Sequence, residues 1–335
     1  MRDDSLLEVE NLRTHFFTDE GVVRSVDGVD FAVRAGRTLC VLGESGCGKS
    51  VTARSILNVV DRPGRIVGGH LRWRGADGTI TDIAALSSRG RAIRAIRGRE
   101  IAMIFQEPMT ALGPIHTIGD QISETILLHE NISKRRAREK TIAMLGRVGI
   151  PDPERRFGAY PFQLSGGMRQ RAMIALALCC APRLLIADEP TTALDVTTQA
   201  NILDLLRELQ REFGMAVMFI THDLGVVAEI ADDVVVMYLG KIVEQGSVDA
   251  IFHAPRHPYT KALLESVPRL GVTGQHRLAA IRGYVPHPFA RPAGCGFVPR
   301  CTQAIAGLCA TTPPELMTLA DGSAVRCHLY AGEPA

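Results

Sequence analysis

No stretch of this chain is long and apolar enough to cross a bilayer. Spanning one takes about 20 consecutive, mostly apolar residues, and the best run, Met173 to Pro182, is shorter and ends at Arg183. Charge of one sign is also lacking. Lys and Arg number 38 against 36 Asp and Glu, a net +2, which excludes binding of nucleic acid through bulk positive charge. The Lys134 to Lys140 run is mixed in sign and has no interleaved aromatics, so it reads as a solvated helix face. There is no Cys-x2-Cys knuckle, which excludes an ordinary zinc ribbon. No internal repeat is visible. The opening Met1-Arg2-Asp3-Asp4 carries two acids and no apolar core, so it is not expected to be a secretory signal. The chain is expected to stay on the cytoplasmic side and, if it serves a membrane process, to do so as a peripheral partner.

What is present is globular. The 335 residues allow two domains at about 150 residues each, and 46% hydrophobic with 22% charged residues is inconsistent with wholesale disorder. Short alternating runs at Leu6–Leu12 and Val22–Val33 predict antiparallel strands. Short apolar runs predict strands at Thr38–Leu42, Ile101–Phe105, Leu184–Ala187 and Ala216–Thr221. Helices are expected at Val51–Val60 and about Thr197–Phe213, and a closing hairpin at Val234–Gln245. Strands alternating with helices imply a doubly wound parallel core. Between about 107 and 180 the apolar spacing turns helical, as at Ile118, Ile122 and Ile126, which predicts an inserted helical subdomain. Beyond Pro268 periodicity fades and prolines crowd, so 1–267 and 268–335 are expected to be a main domain and a small appended module.

Gly43-x4-Gly48-Lys49-Ser50 follows a strand and opens a helix, the context a phosphate loop needs. Glycines let the backbone wind until its amides face a phosphate, and the helix adds the positive end of its dipole. Lys49 is placed to neutralise phosphate charge and the Ser50 hydroxyl to ligate Mg²⁺. Gly43, Ser45, Gly46, Cys47, Gly48 and Val51 complete the candidate cradle, Cys47 through its backbone. Asp188-Glu189 ends an apolar strand, Asp188 as a Mg²⁺ ligand and Glu189 to polarise an attacking water. Ser165-Gly166-Gly167 heads another helix and makes a second anion-binding surface. Two chains facing head to tail would use both surfaces on one nucleotide.

These motifs, with Gln106, Asp195 and His222 in order, resemble the nucleotide-binding subunit of ABC transporters over about residues 7–246. The resemblance implies an α/β P-loop NTPase cassette. Its parts are a RecA-like parallel sheet core, an antiparallel β subdomain, the inserted α-helical subdomain and a C-terminal Cys-bearing extension. It implies an ATPase with ATP and Mg²⁺, Gln106 sensing Mg²⁺ and coupling to membrane subunits, and His222 at the γ-phosphate. Ser165, Gly166, Gly167 and Asp195 would act in trans at a dimer seam, and Phe16 or its neighbour Phe17 would stack on adenine. Gly98 to Thr110, His257 to Leu264 and the Cys tail resemble the oligopeptide/dipeptide/nickel permease ATPases. Ala111-Leu112-Gly113-Pro114 departs from the Ser-Leu-Asn-Pro usual there.

The function implied is an ATP-hydrolysing subunit of an importer for di- or oligopeptides. The alternatives are nickel or another small solute, and a soluble ABC ATPase outside transport. Implied partners are a second cassette, by resemblance a paralogue, two transmembrane permease subunits and an extracytoplasmic binding protein. Cys295-x5-Cys301-x7-Cys309-x17-Cys327 offers four thiolates, which suit either a [4Fe–4S] cluster or Zn²⁺, or stay as free thiols. The resemblance points to the iron–sulfur cluster. Such a centre would staple or sense rather than react.

Overall fold

The computed structural model describes residues 1, 4–107, 111–192, 194–266 and 281–332. The boundary expected at Pro268, Ala193 before Leu194-Asp195, and Pro108-Met109-Thr110 of the Gln106 segment lie outside the described residues. The strands are β1 (Ser5–Thr18), β2 (Gly21–Arg34), β3 (Thr38–Leu42), β4 (Gly64–Arg74), β5 (Ile80–Asp82) and β6 (Ile101–Ile104). They continue with β7 (Leu184–Asp188), β8 (Ala216–Thr221), β9 (Asp233–Tyr238), β10 (Lys241–Ser247), β11 (Met317–Thr318) and β12 (Ala324–Val325). The helices are α1 (Lys49–Ile56), α2 (Arg91–Ile96), α3 (Ile118–His129), α4 (Lys134–Arg147) and α5 (Pro153–Phe157). After them come α6 (Gly166–Leu178), α7 (Val196–Phe213), α8 (Leu224–Ile230), α9 (Val248–His253) and α10 (Pro258–Glu265).

Two compact units divide these elements. The first comprises Met1–Leu7, Val33–Arg37 and Trp73–Ile220. In it β6, β7 and β8 pair in parallel, Ile101 opposite Leu184 and Leu184 opposite Ala216. All five residues of β7 are buried, which is why it reads as a continuous apolar run rather than an alternation. The helical run expected before residue 180 is present as α3 to α6. Each of the longer helices starts on a side-chain cap: Thr117 accepts from the Asp120 amide at 3.2 Å and Ser133 from that of Arg136 at 3.3 Å. Gly119 on α3 lies against the Phe157 ring of α5, and the Arg138 guanidinium lies 4.1 Å from that ring's centroid.

The second unit comprises Glu8–Ala32, Thr38–Arg72 and Thr221–Ala335. Two residues, Asp19-Glu20, join β1 to β2, which makes that pair an antiparallel hairpin. Strand β4 lies on the other side of β1. The sequence hides β4 because Gly68 and Gly69 interrupt its alternation. Gly69 has φ +89°, and a Cβ there would stand 2.4 Å from the Asn11 carbonyl oxygen. Helix α1 stops at Ile56, short of the expected Val60, because Asn58 turns to φ +53°. Strand β3 runs parallel to β9. The hairpin β9–β10 turns on Leu239-Gly240, both at positive φ, in the manner of a type I′ turn. In the tail, β12 pairs antiparallel with β10, Val325 opposite Glu244, and β11 extends it.

Helix α10 begins as its sequence suggests, with Pro258 in its first turn. His257 is the N-cap, its Nδ1 accepting the Tyr259 amide at 3.0 Å. Burial pushes the imidazole down to about 3, so it stays neutral and caps the helix as a structural residue.

A methyl group at position 119 would ordinarily favour helix α3 by about 1 kcal/mol. Here its Cβ would stand 2.3 Å from the Phe157 ring. Gly119→Ala is therefore expected to destabilise the chain by about 1–3 kcal/mol, read as a lowered thermal unfolding midpoint; a raised midpoint contradicts the packing argument.

Candidate functional site

The glycine-rich loop lies in the second unit, between buried β3 and α1. Backbone pressure dictates its glycines. A Cβ on Gly43 would stand 2.3 Å from the Met237 carbonyl oxygen, and one on Gly48 2.3 Å from that of Ser25. Gly46 and Gly48 also take φ +78° and +106°. Gly48 is the N-cap of α1 and brings no side-chain cap, so the first-turn amides of that helix remain suited to an anion. Lys49, 5% exposed, folds back over the loop and donates to the carbonyls of Gly43 (2.7 Å) and Glu44 (3.1 Å). Cys47 is buried, and burial pushes its thiol up, so it presents backbone rather than a reactive thiolate. Ser50 and Val51 follow as half-buried residues of α1.

On β1, Thr14 Oγ1 meets Ser55 Oγ of α1 at 2.8 Å. Strand alternation places Phe16 on the same face. The Phe16 ring covers Gly64, whose Cβ would stand 2.6 Å from Cε1, whereas Phe17 is capped by the Arg65 guanidinium at 4.2 Å. His222 lies exposed just past the end of β8, ahead of Asp223, which caps α8 through bonds from the Gly225 and Val226 amides.

The first unit carries the acidic pair. Asp188 ends β7 and is 3% exposed. Glu189 takes φ +47°, a costly backbone state for a side-chain-bearing residue, and its amide donates to the Ile220 carbonyl at 2.9 Å. Its carboxylate accepts from Gln106 Nε2 and from Thr192 Oγ1, each at 3.0 Å. Gln106 and Glu189, 83 residues apart, are thus brought together, with Gln106 exposed beyond β6. Thr192 was not foreseen; its spacing of three residues from Glu189 was the available signal. Also in this unit, Ser165 caps α6 by accepting the Met168 amide at 3.4 Å. Nothing stands within 4 Å of a Cβ built on Gly166, and the nearest atom to one on Gly167 is Thr198 Cγ2 at 3.6 Å. Asp195 caps α7, and the Thr198 amide and hydroxyl hold its carboxyl below the usual carboxylate range.

Cys295, Cys301, Cys309 and Cys327 border one small cavity with His257 and Phe297. Burial raises the thiols of Cys295 and Cys301, and burial with the other three cysteines raises that of Cys327 to about 11. Among the described residues no group of three or more His, Cys, Asp or Glu is placed to hold a metal ion. The four cysteines thus line one cavity without forming a metal site among the described residues.

Residues 26–192 match the ABC transporter family, and 243–309 match the oligopeptide/dipeptide transporter C-terminal region. A putative peptide import ATP-binding protein of Brucella ovis is 52% identical over 94% of this chain and 94% of its own length. This chain is an ABC transporter ATP-binding protein of the oligopeptide/dipeptide group. The oligopeptide transport ATP-binding protein AppD of Bacillus subtilis is 48% identical over 99% of this chain and 98% of its own. For the dipeptide transport ATP-binding protein DppD of Escherichia coli the figures are 48%, 97% and 96%. Among solved structures, CbiO1 of Clostridium perfringens, part of the ABC transporter complex CbiONQ, is 25% identical with TM-score 0.61, covering 75% of this chain and 92% of that one. The bacterial ABC transporter cassette MJ0796 is 24% identical with TM-score 0.62, covering 72% and 98%. The fold is that of an ABC cassette with a P-loop, and the chain is an ATPase coupled to transport.

Gly48→Ala is expected to destabilise the chain by about 2 kcal/mol or more, since both the positive φ and the Ser25 carbonyl oppose a side chain. Denaturant unfolding measures it; an unchanged midpoint refutes the close-approach argument.

Proposed function

We propose that this chain drives import of di- and oligopeptides by binding and hydrolysing ATP. One observation carries the reading of the cargo: relatives named for peptide import match nearly the whole chain, tail included, at about half identity. Nickel or another small solute is the second reading, since the sequence resemblance spans both.

The amides of loop 43–50 take the phosphates, and Lys49 exchanges the Gly43 and Glu44 carbonyls for phosphate oxygens. Phe16, on the α1 face of β1, stacks on adenine. Ser50, Asp188 and Gln106 bring hard oxygen donors of the type Mg²⁺ prefers. Bound Mg²⁺ supplies charge neutralisation at the phosphates. Glu189 orients and polarises the attacking water, its carboxylate steered by Gln106 and Thr192. His222 donates to the γ-phosphate. Gln106, which donates to Glu189, couples the site to a permease. Ser165, Gly166, Gly167 and Asp195 act on the nucleotide of a facing cassette, and the open space over Gly166 supports that role.

The facing cassette is a paralogue, and the assembly includes two permease subunits and an extracytoplasmic binding protein. Among the described residues no helix is long and apolar enough to cross a membrane. The chain associates peripherally with its permeases, on the cytoplasmic face, and takes no nucleic acid. The four cysteines offer the donor set of a [4Fe–4S] cluster around one cavity.

In the assembled transporter, Lys49→Ala is expected to lower ATP turnover at least about a hundredfold; undiminished turnover refutes its role. Glu189→Gln is expected to keep ATP binding and accumulate a closed cassette pair, seen by light scattering, whereas rapid turnover refutes the assignment of Glu189. Uptake of labelled dipeptide rather than nickel into vesicles tests the cargo. Chain purified without oxygen is expected to contain iron and sulfide; colourless, iron-free protein overturns the cluster.

A further inference from the structure

Glu44, the second residue of the phosphate loop, is gripped by residues more than 200 positions away. Its amide donates to the Tyr259 hydroxyl at 2.9 Å. Its carboxylate receives both arms of the Arg300 guanidinium, Nη1 to Oε2 at 2.6 Å and Nη2 to Oε1 at 3.0 Å. Its carbonyl accepts from Lys49 at 3.1 Å. Arg300 is itself fixed: Nε donates to the Arg282 carbonyl at 3.0 Å, Nη1 also reaches the Tyr238 hydroxyl at 3.4 Å, and its side chain is only 3% exposed. Its guanidinium lies 5.9 Å from the ring centroids of Tyr238 and Phe297, on both of which the Tyr259 ring packs at 4.7 and 5.4 Å. Arg300 belongs to the segment matched by the oligopeptide/dipeptide C-terminal region, Glu44 to the segment matched by the ABC family.

A fork-on-fork pair fixes orientation as well as charge, which lysine's single point cannot do. A buried guanidinium also strongly resists losing its carboxylate. The loop it holds is rich in glycine and so intrinsically mobile. Holding one end of such a loop removes freedom that nucleotide would otherwise have to remove on binding.

We propose that Arg300 is a positioning residue for nucleotide: by gripping Glu44 it sets the path of loop 43–50, and through it the C-terminal segment governs ATP affinity. Arg300 touches no substrate and acts through Glu44. The inference rests on the reading of 43–50 as the phosphate loop.

The test titrates the purified full chain with a fluorescent ATP analogue. Arg300→Met and Glu44→Gln are expected to weaken binding roughly tenfold. Arg300→Lys should recover part of the loss, and Tyr259→Phe should lose less. The double variant Glu44→Gln/Arg300→Met should be no weaker than the worse single, because both break one link. In the assembled transporter the KM for ATP should rise while kcat is kept, which a merely structural loss would not produce. Unchanged affinity in folded Arg300→Met, or full additivity in the double variant, overturns the proposal. Should Arg300→Met fail to fold, unchanged affinity in Arg300→Lys, Glu44→Gln and Tyr259→Phe together overturns it. Lys49→Ala separates the two readings: lost affinity there with intact affinity in the Arg300 and Glu44 variants sinks the clamp alone, and retained affinity in Lys49→Ala sinks the phosphate loop itself.

Discussion

The second unit depends on one crowded approach. The carbonyls of Ser25 and Met237 press on the loop backbone at Gly48 and Gly43 so closely that no side chain fits. That pressure gives the loop its curvature, and the curvature turns amides outward where a helix starts without a side-chain cap. Lys49 responds to the same geometry. Its ammonium donates to the Gly43 and Glu44 carbonyl oxygens of the same loop.

The first unit applies a different constraint to the same chemistry. Glu189 is held in a left-handed backbone state by the end of β7 and by the bond from its amide to Ile220. Gln106 and Thr192 then both donate to the carboxylate. Held from two sides in this way, the carboxylate keeps its direction.

Much of this was legible in the residues. The P-loop, the Asp188-Glu189 strand end and the Ser165-Gly166-Gly167 helix start are local patterns, and local patterns survive in a single sequence. The hairpin β9–β10 was readable because alternation and the Leu239-Gly240 turn agree. Strand β4 was not, since its glycines exist for the passage of β1 and not for their own propensity. Neither was the grip on Glu44. Nothing near residue 44 announces Arg300 or Tyr259, and long-range ion pairs leave no spacing to detect. The cysteine cluster was visible as a spacing, but only the fold shows that all four residues line one cavity with His257 and Phe297.

The pairing of β12 with β10 has a bearing on how the protein tolerates cutting. Val325 and Ala324 occupy the hydrogen-bonding edge of Glu244 and Gln245. A proteolytic nick or deletion upstream of them would bare that edge beside the apolar residues of β9. An uncovered strand is a template for another chain, so loss of the tail from β12 onward leads toward self-association rather than toward a smaller, tidy cassette.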